Sequence, residues 1–223
     1  MLTKMTIRNF KRFDEVEIEL ADRVVFVGPN NSGKTSSLQA LALWDIGLRR
    51  WTEKHGNKTP PGKRPGATIN RRDLMAVPVP SANLLWRGLH VRNIARSDGK
   101  QQTANIRIDI VVEGILRQKP WRCGLEFDYA NPESFYCRPL RLPGQDGSAR
   151  MAIPEGLEDV RVAFLPPMSG LAANETRLDP GAIDVRVGEG RTAEVLRNLC
   201  FFVFEESPDQ WEQLVAHIKS LFG

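Results

Sequence analysis

Eight consecutive residues, Gly28-Pro29-Asn30-Asn31-Ser32-Gly33-Lys34-Thr35, combine two glycines, a lysine and a hydroxyl side chain at the spacing of a phosphate-binding P-loop. The glycines let the backbone turn tightly, so that successive N–H groups converge on phosphate oxygens. A helix starting at this point adds roughly half a positive charge at its N-terminus. Lys34 supplies a point charge for the β- and γ-phosphates, and the Thr35 hydroxyl is a hard oxygen donor for a Mg2+ ion that keeps several waters. Ser36 completes the candidate set in the same first turn. The pattern implies binding of a nucleoside triphosphate together with Mg2+, with Thr35 as the metal-facing residue.

Such a loop needs a strand before it and a helix after it. Val24-Val25-Phe26-Val27 is expected to be that strand. Leu38, Leu41, Trp44 and Leu48 recur at helical spacing, and the helix is expected to pack them on a sheet and to end near Gly47 to Arg50. Upstream, residues 4 to 8 alternate, and Val16, Ile18 and Leu20 alternate with Glu15, Glu17 and Glu19, which predicts a two-stranded lead-in.

Taken together, residues 1–48 run from a strand ending in Asn9-Phe10-Lys11, through a second strand and an apolar strand, into the Gly-Pro-Asn-Asn-Ser-Gly-Lys-Thr loop. This opening resembles the ABC-type ATPases of the SMC, RecF and Rad50 group, which includes the OLD-like AAA ATPases. The resemblance implies an α/β P-loop NTPase fold: an ABC-ATPase-type N-terminal lobe with a mixed sheet and an antiparallel β subdomain, and a helical C-terminal segment. It implies Mg-ATP as the bound nucleotide, ATP hydrolysis in DNA repair or phage defence, a second ATPase lobe or homodimer partner, and DNA or a nuclease module as acted-on partners. Lys11 and Arg12 are the further candidates to lie near the phosphates. A GTPase would carry a downstream Asn-Lys-x-Asp motif, which is missing. A small-molecule kinase, the other P-loop alternative, usually starts directly at the loop strand, without a hairpin in front.

Hydrolysis in this group uses a Walker B strand ending in Asp-Glu and a Ser-Gly-Gly signature, and the sequence contains neither. Phe201-Phe202-Val203-Phe204-Glu205-Glu206 is the nearest match, but it sits in a helical pattern and lacks the aspartate. Pro166-Pro167-Met168-Ser169-Gly170 stands where many members place a glutamine loop, and only Ser169 offers itself for water positioning. No catalytic residue is therefore assigned. The expectation is the N-terminal lobe of a longer ATPase, a truncated product or one half of a split pair, with a non-hydrolysing ATP-sensing module as the alternative.

The remainder of the chain sets the frame. A chain of 223 residues could bury about 70 to 75% of its unfolded surface, enough for one large domain or two small ones. Cys123, Cys137 and Cys200 have no CxxC spacing, which suits a reducing cytoplasm, and no stretch approaches the roughly 18 apolar residues of a membrane span. Residues 45 to 73 carry eight basic side chains, Arg49, Arg50, Lys54, Lys58, Lys63, Arg64, Arg71 and Arg72, against three acidic ones, among Pro and Gly. They are expected to form a solvated loop, with sequence-independent contact to nucleic-acid phosphates as the functional alternative. Antiparallel strands are expected at Ile106 to Val112, Trp121 to Phe127 and Val160 to Phe164, with turns at Gly114, Asn131-Pro132 and Pro143-Gly144. Trp86 and Trp121 read as core. Helices are expected from Arg191 to Phe222. The whole is read as one ATP-binding lobe: 1–48 hairpin, P-loop strand and helix; 49–82 basic loop; 83–165 antiparallel strands; 166–223 loop and helices.

Overall fold

The alternating runs become the strands of one sheet. The computed structural model describes residues 1–56, 64–74, 76–97, 100–142, 149–163 and 175–222. In chain order the elements are β1 (Leu2–Phe10), β2 (Phe13–Glu19), α1 (Lys34–His55), β3 (Ala67–Asn70), β4 (Arg92–Ser97), β5 (Lys100–Asn105), β6 (Ile108–Leu116), β7 (Lys119–Asn131), β8 (Ser134–Pro139), α2 (Pro180–Gly188), α3 (Leu196–Glu206) and α4 (Pro208–Phe222). Six strands form a sheet of order β2-β1-β6-β7-β8-β3, and β4-β5 form a separate ribbon. Every pairing is antiparallel. The mixed sheet expected from the family resemblance therefore has no parallel member among the described residues.

Because strand side chains alternate, Met5 and Ile7 of β1, Ile108, Ile110 and Val112 of β6, and Trp121, Cys123, Leu125 and Phe127 of β7 share one buried face. Helix α1 lies on it through Ala40, Leu43, Trp44 and Leu48. Trp44 stacks on Trp121 with ring centroids 6.0 Å apart, and its Nε1–H donates to the Cys123 carbonyl at 3.0 Å. Each large apolar side chain buried here contributes about 1.5–3 kcal/mol. Trp86 and Trp121 are core residues, as expected. Burial pushes the Cys123 thiol up to about 12, and all three cysteines are free.

Several expectations are corrected. Val24 to Val27 form no strand, and residues 22–27 make no backbone hydrogen bond to another described residue. Val25 is 83% exposed and Val27 89%. β2, the strand before this run in sequence, is the edge strand of the sheet, and the run does not pair with it. Helix α1 does not stop at Gly47 to Arg50 but continues to His55, where Gly56 takes φ 62 and its N–H caps the Thr52 carbonyl at 2.7 Å. Gly47 is a contact point and not a stop, because a Cβ there would stand 2.9 Å from the Phe127 ring and from Cys137 Sγ. Leu38 is exposed and does not join the buried face.

Two described parts of the basic segment are regular: Arg49 to His55 extend α1, and residues 67–70 are β3, paired with β8. Lys58 and Lys63 lie outside the described residues. Val160 to Ala163 are irregular and form no third strand. Gly114 is no turn but lies inside β6, opposite a bulge in β1 between Leu2 and Lys4. The β6–β7 turn falls instead at Arg117-Gln118, both at positive φ. Asn131 does make the next turn, its Oδ1 accepting from the Glu133 and Ser134 N–H groups at 2.9 Å each. The turn expected at Pro143-Gly144 and the glutamine-loop region 166–170 lie outside the described residues.

The chain divides into two compact units, 1–164 and 165–223, where the sequence pattern reads as a single lobe. The second unit is helical. Asp179 caps α2 by accepting from the Ala182 N–H at 2.9 Å, with Pro180 at the first helical position. Glu175 accepts from the Arg197 and Asn198 N–H groups at 3.1 and 2.8 Å and so caps α3 from outside the helix. Helices α3 and α4 realise the expected helical tail. Among the described residues no helix is long and apolar enough to cross a membrane.

Candidate nucleotide-binding site

The P-loop residues occupy the turn leading into α1. Asn31 takes φ 61 and Gly33 takes φ 102, ψ 2, so the chain passes through two left-handed positions before the helix starts at Lys34. The Ser37 N–H then closes the first helical turn on the Gly33 carbonyl at 2.8 Å, supported by Ser37 Oγ donating to the same oxygen at 3.1 Å. No side chain caps this N-terminus and its first turn holds no acidic residue. A helix of 22 residues thus presents unmatched N–H groups and the positive end of its dipole at one place, an arrangement suited to an anion.

Lys34 is folded onto its own loop. Its ammonium donates to the Gly28 and Pro29 carbonyls at 2.7 Å each and reaches Ser32 Oγ at 3.4 Å. The point charge therefore sits inside the curve of the loop, where phosphate oxygens would replace neutral carbonyls with stronger charge-assisted partners. Pro29, Asn30, Asn31, Ser32 and Thr35 are exposed, and Ser36 is half-buried. Among the described residues no His, Cys, Asp and Glu cluster could hold a metal by itself. Mg2+ fits this site as a metal held by the exposed Thr35 hydroxyl together with phosphate oxygens and water.

The two candidates from the hairpin differ in their partners. Lys11 Nζ donates to Gln39 Oε1 of α1 at 2.5 Å and lies 5.7 Å from the Phe10 ring centroid. Burial lowers its pKa. Arg12 is exposed, has no ion pair among the described residues, and brings its Cδ within 3.1 Å of where a Gly33 Cβ would stand. Gln39 was invisible as a partner, because helical spacing shows which face a residue occupies but not which distant side chain meets it.

Two other candidate features resolve differently. Phe201 to Glu206 fall within α3, and Glu205 pairs with Arg177 at 2.7 Å, so this run is helix and not a Walker B strand. In the basic segment, Arg49 pairs with Asp45, Arg50 with Glu53 and Asp73, and Arg71 and Arg72 with Glu133. Lys54 and Arg64 donate to the Gly66 and His55 carbonyls. A phosphate backbone would have to compete with these partners.

Residues 1–44 match the AAA ATPase domain family. The match spans the hairpin, the P-loop and the first turns of α1, and it supports a nucleotide-binding P-loop ATPase. No curated protein matches the chain.

Proposed function

We propose that this chain is the ATP-binding portion of an ABC-type ATPase of the SMC, RecF, Rad50 and OLD-like group, acting in DNA repair or phage defence. The observation that carries the reading is the start of α1, an uncapped helix terminus with Lys34 and Thr35 upon it and the β1–β2 hairpin tip against Gly33. Held by the Thr35 hydroxyl, Mg2+ would supply Lewis-acid neutralisation of the triphosphate's negative charge. The chain's own part is to hold the phosphates with backbone N–H groups and Lys34 and to place the Thr35 hydroxyl at the metal. A second ATPase lobe or another copy of this chain is the proposed partner. The exposed, unpaired run Val24 to Val27 supports it, since a neighbouring strand would satisfy that backbone and cover the valines. The roles of DNA and a nuclease module rest on the family resemblance.

A non-hydrolysing ATP sensor is the second reading, favoured by the helical state of Phe201 to Glu206, which leaves no assigned carboxylate to orient water. Calorimetry tests the shared premise. Mg-ATP should bind the wild-type chain, and Lys34→Ala should lose affinity by about 10- to 100-fold, the value of one or two charge-assisted hydrogen bonds. Equal affinity in the two proteins refutes the site. The pure chain should turn over ATP negligibly, and robust turnover abolished by Thr35→Ala would eliminate the sensor reading.

A further inference from the structure

We propose that Phe13 is a positioning residue for nucleotide binding, its ring serving as the seat against which the Gly33 turn of the P-loop closes. The proposal rests on the nucleotide-binding reading above. Gly33 is buried, and a Cβ built on it would stand 2.6 Å from Phe13 Cζ, 2.8 Å from Phe13 Cε1 and 3.1 Å from Arg12 Cδ. The loop backbone and the ring are therefore in direct contact, with no room for a methyl group. Glycine is required here by that contact as well as by its φ of 102.

The ring is itself held. Phe13 is half-buried against the hydrophobic core and pairs with Phe10 across the two-residue turn Lys11-Arg12. That turn is anchored on several sides. The Lys11 N–H donates to the Leu85 carbonyl at 2.8 Å, Lys11 Nζ donates to Gln39 of α1, and Arg87 pairs with Asp14 at 3.0 Å. The loop's entry is held only by its own members: residues 27–32 are exposed, the Gly28 and Pro29 carbonyls accept from Lys34 and Pro29 also from the Ser32 N–H, and residues 22–27 make no backbone hydrogen bond to another described residue. Beyond these internal bonds, the loop is tied to the hairpin at its exit, where the ring of Phe13 meets Gly33. A loop held in its binding conformation loses less entropy when phosphates dock.

The test uses the full chain and Mg-ATP, with calorimetry, thermal melts and amide hydrogen exchange at Lys34 and Thr35. Phe13→Ala should weaken Mg-ATP binding by about tenfold and speed exchange at both amides, the signature of a less ordered loop. Val16→Ala is the control: Val16 also packs on the core from β2, but opposite Ile7 in mid-strand, so this variant should lower the melting temperature and leave affinity unchanged. Phe13→Leu should fall between wild type and Phe13→Ala, and it carries the test if the alanine variant does not fold. Wild-type affinity in Phe13→Ala, or a loss no larger than that in Val16→Ala, overturns the proposal. A wild-type chain that does not bind Mg-ATP overturns the nucleotide-binding reading instead. In that case exchange still decides the seat, and unchanged rates in Phe13→Ala reject it.

Discussion

Asp109 and Glu126 stand directly opposite each other across β6 and β7, on the face of the sheet turned away from α1. Around them are Arg8 from β1, committed to Glu15 at 2.6 Å, and Arg107, Arg141 and Arg150, whose nitrogens lie 3.6, 3.8 and 3.0 Å from Glu126 Oε1. Burial, with the Glu126 charge second, raises the Asp109 pKa from 3.8 to about 6, against smaller downward pulls from Arg8, Arg107 and Arg141. The folded value lies above the unfolded one, so the folded state binds this proton more tightly. The resulting stabilisation is complete below about pH 4 and is lost as pH rises through about 6. At ~1.4 kcal/mol per pKa unit the loss is at most about 3 kcal/mol, and less because Asp109 is partly exposed. Urea denaturation at pH 5 and pH 8 should show wild type weakening relative to Asp109→Asn, with the variant the more stable of the two at pH 8. A constant difference between the two proteins across that range would clear Asp109 of the effect.

At the scale of elements, the fit of α1 on the sheet is set by Gly47. Alanine there would gain about 1 kcal/mol of helix propensity. Its methyl group, however, would meet Phe127 and Cys137 Sγ at 2.9 Å, and overpacking of this kind costs about 1–3 kcal/mol. Gly47→Ala should therefore lower stability in a denaturant titration, and a stabilised variant would mean that the helix can lift off the sheet freely. The same glycine shows where the sequence misleads. Taken as a stop signal, it puts the helix end too early, because the reason for a glycine there is a neighbour far away in sequence. Strands β1, β2, β6 and β7 were legible because alternation is a local signal. Strand β3 was not, being four residues amid Pro and Gly. The Arg117-Gln118 turn was missed because it lacks the Asn or Gly that usually marks positive φ. The P-loop could be read directly, since its chemistry lies in consecutive residues, whereas the contacts of Phe13 and the Lys11–Gln39 hydrogen bond are tertiary and leave no mark on spacing.

At the scale of the whole molecule, every contact described for the P-loop comes from residues 1–164. A chain ending at residue 164 should therefore fold and bind Mg-ATP within about threefold of the full-length affinity, a difference below one charge-assisted hydrogen bond. Calorimetry on the two chains decides, and a tenfold loss would assign residues 165–223 a share in the site.

The valine run before the P-loop has a consequence for how this protein behaves in solution. Its open backbone and β-branched side chains make a template for extended chain of any origin, including the same run in another molecule, which is how cross-β aggregates begin. Asp22 and Arg23 on one side and Pro29 on the other bound the run as gatekeepers. The segment that delivers the chain to its phosphate-binding loop is thus also a point of exposure to aggregation, and a partner strand laid over that short stretch would close it.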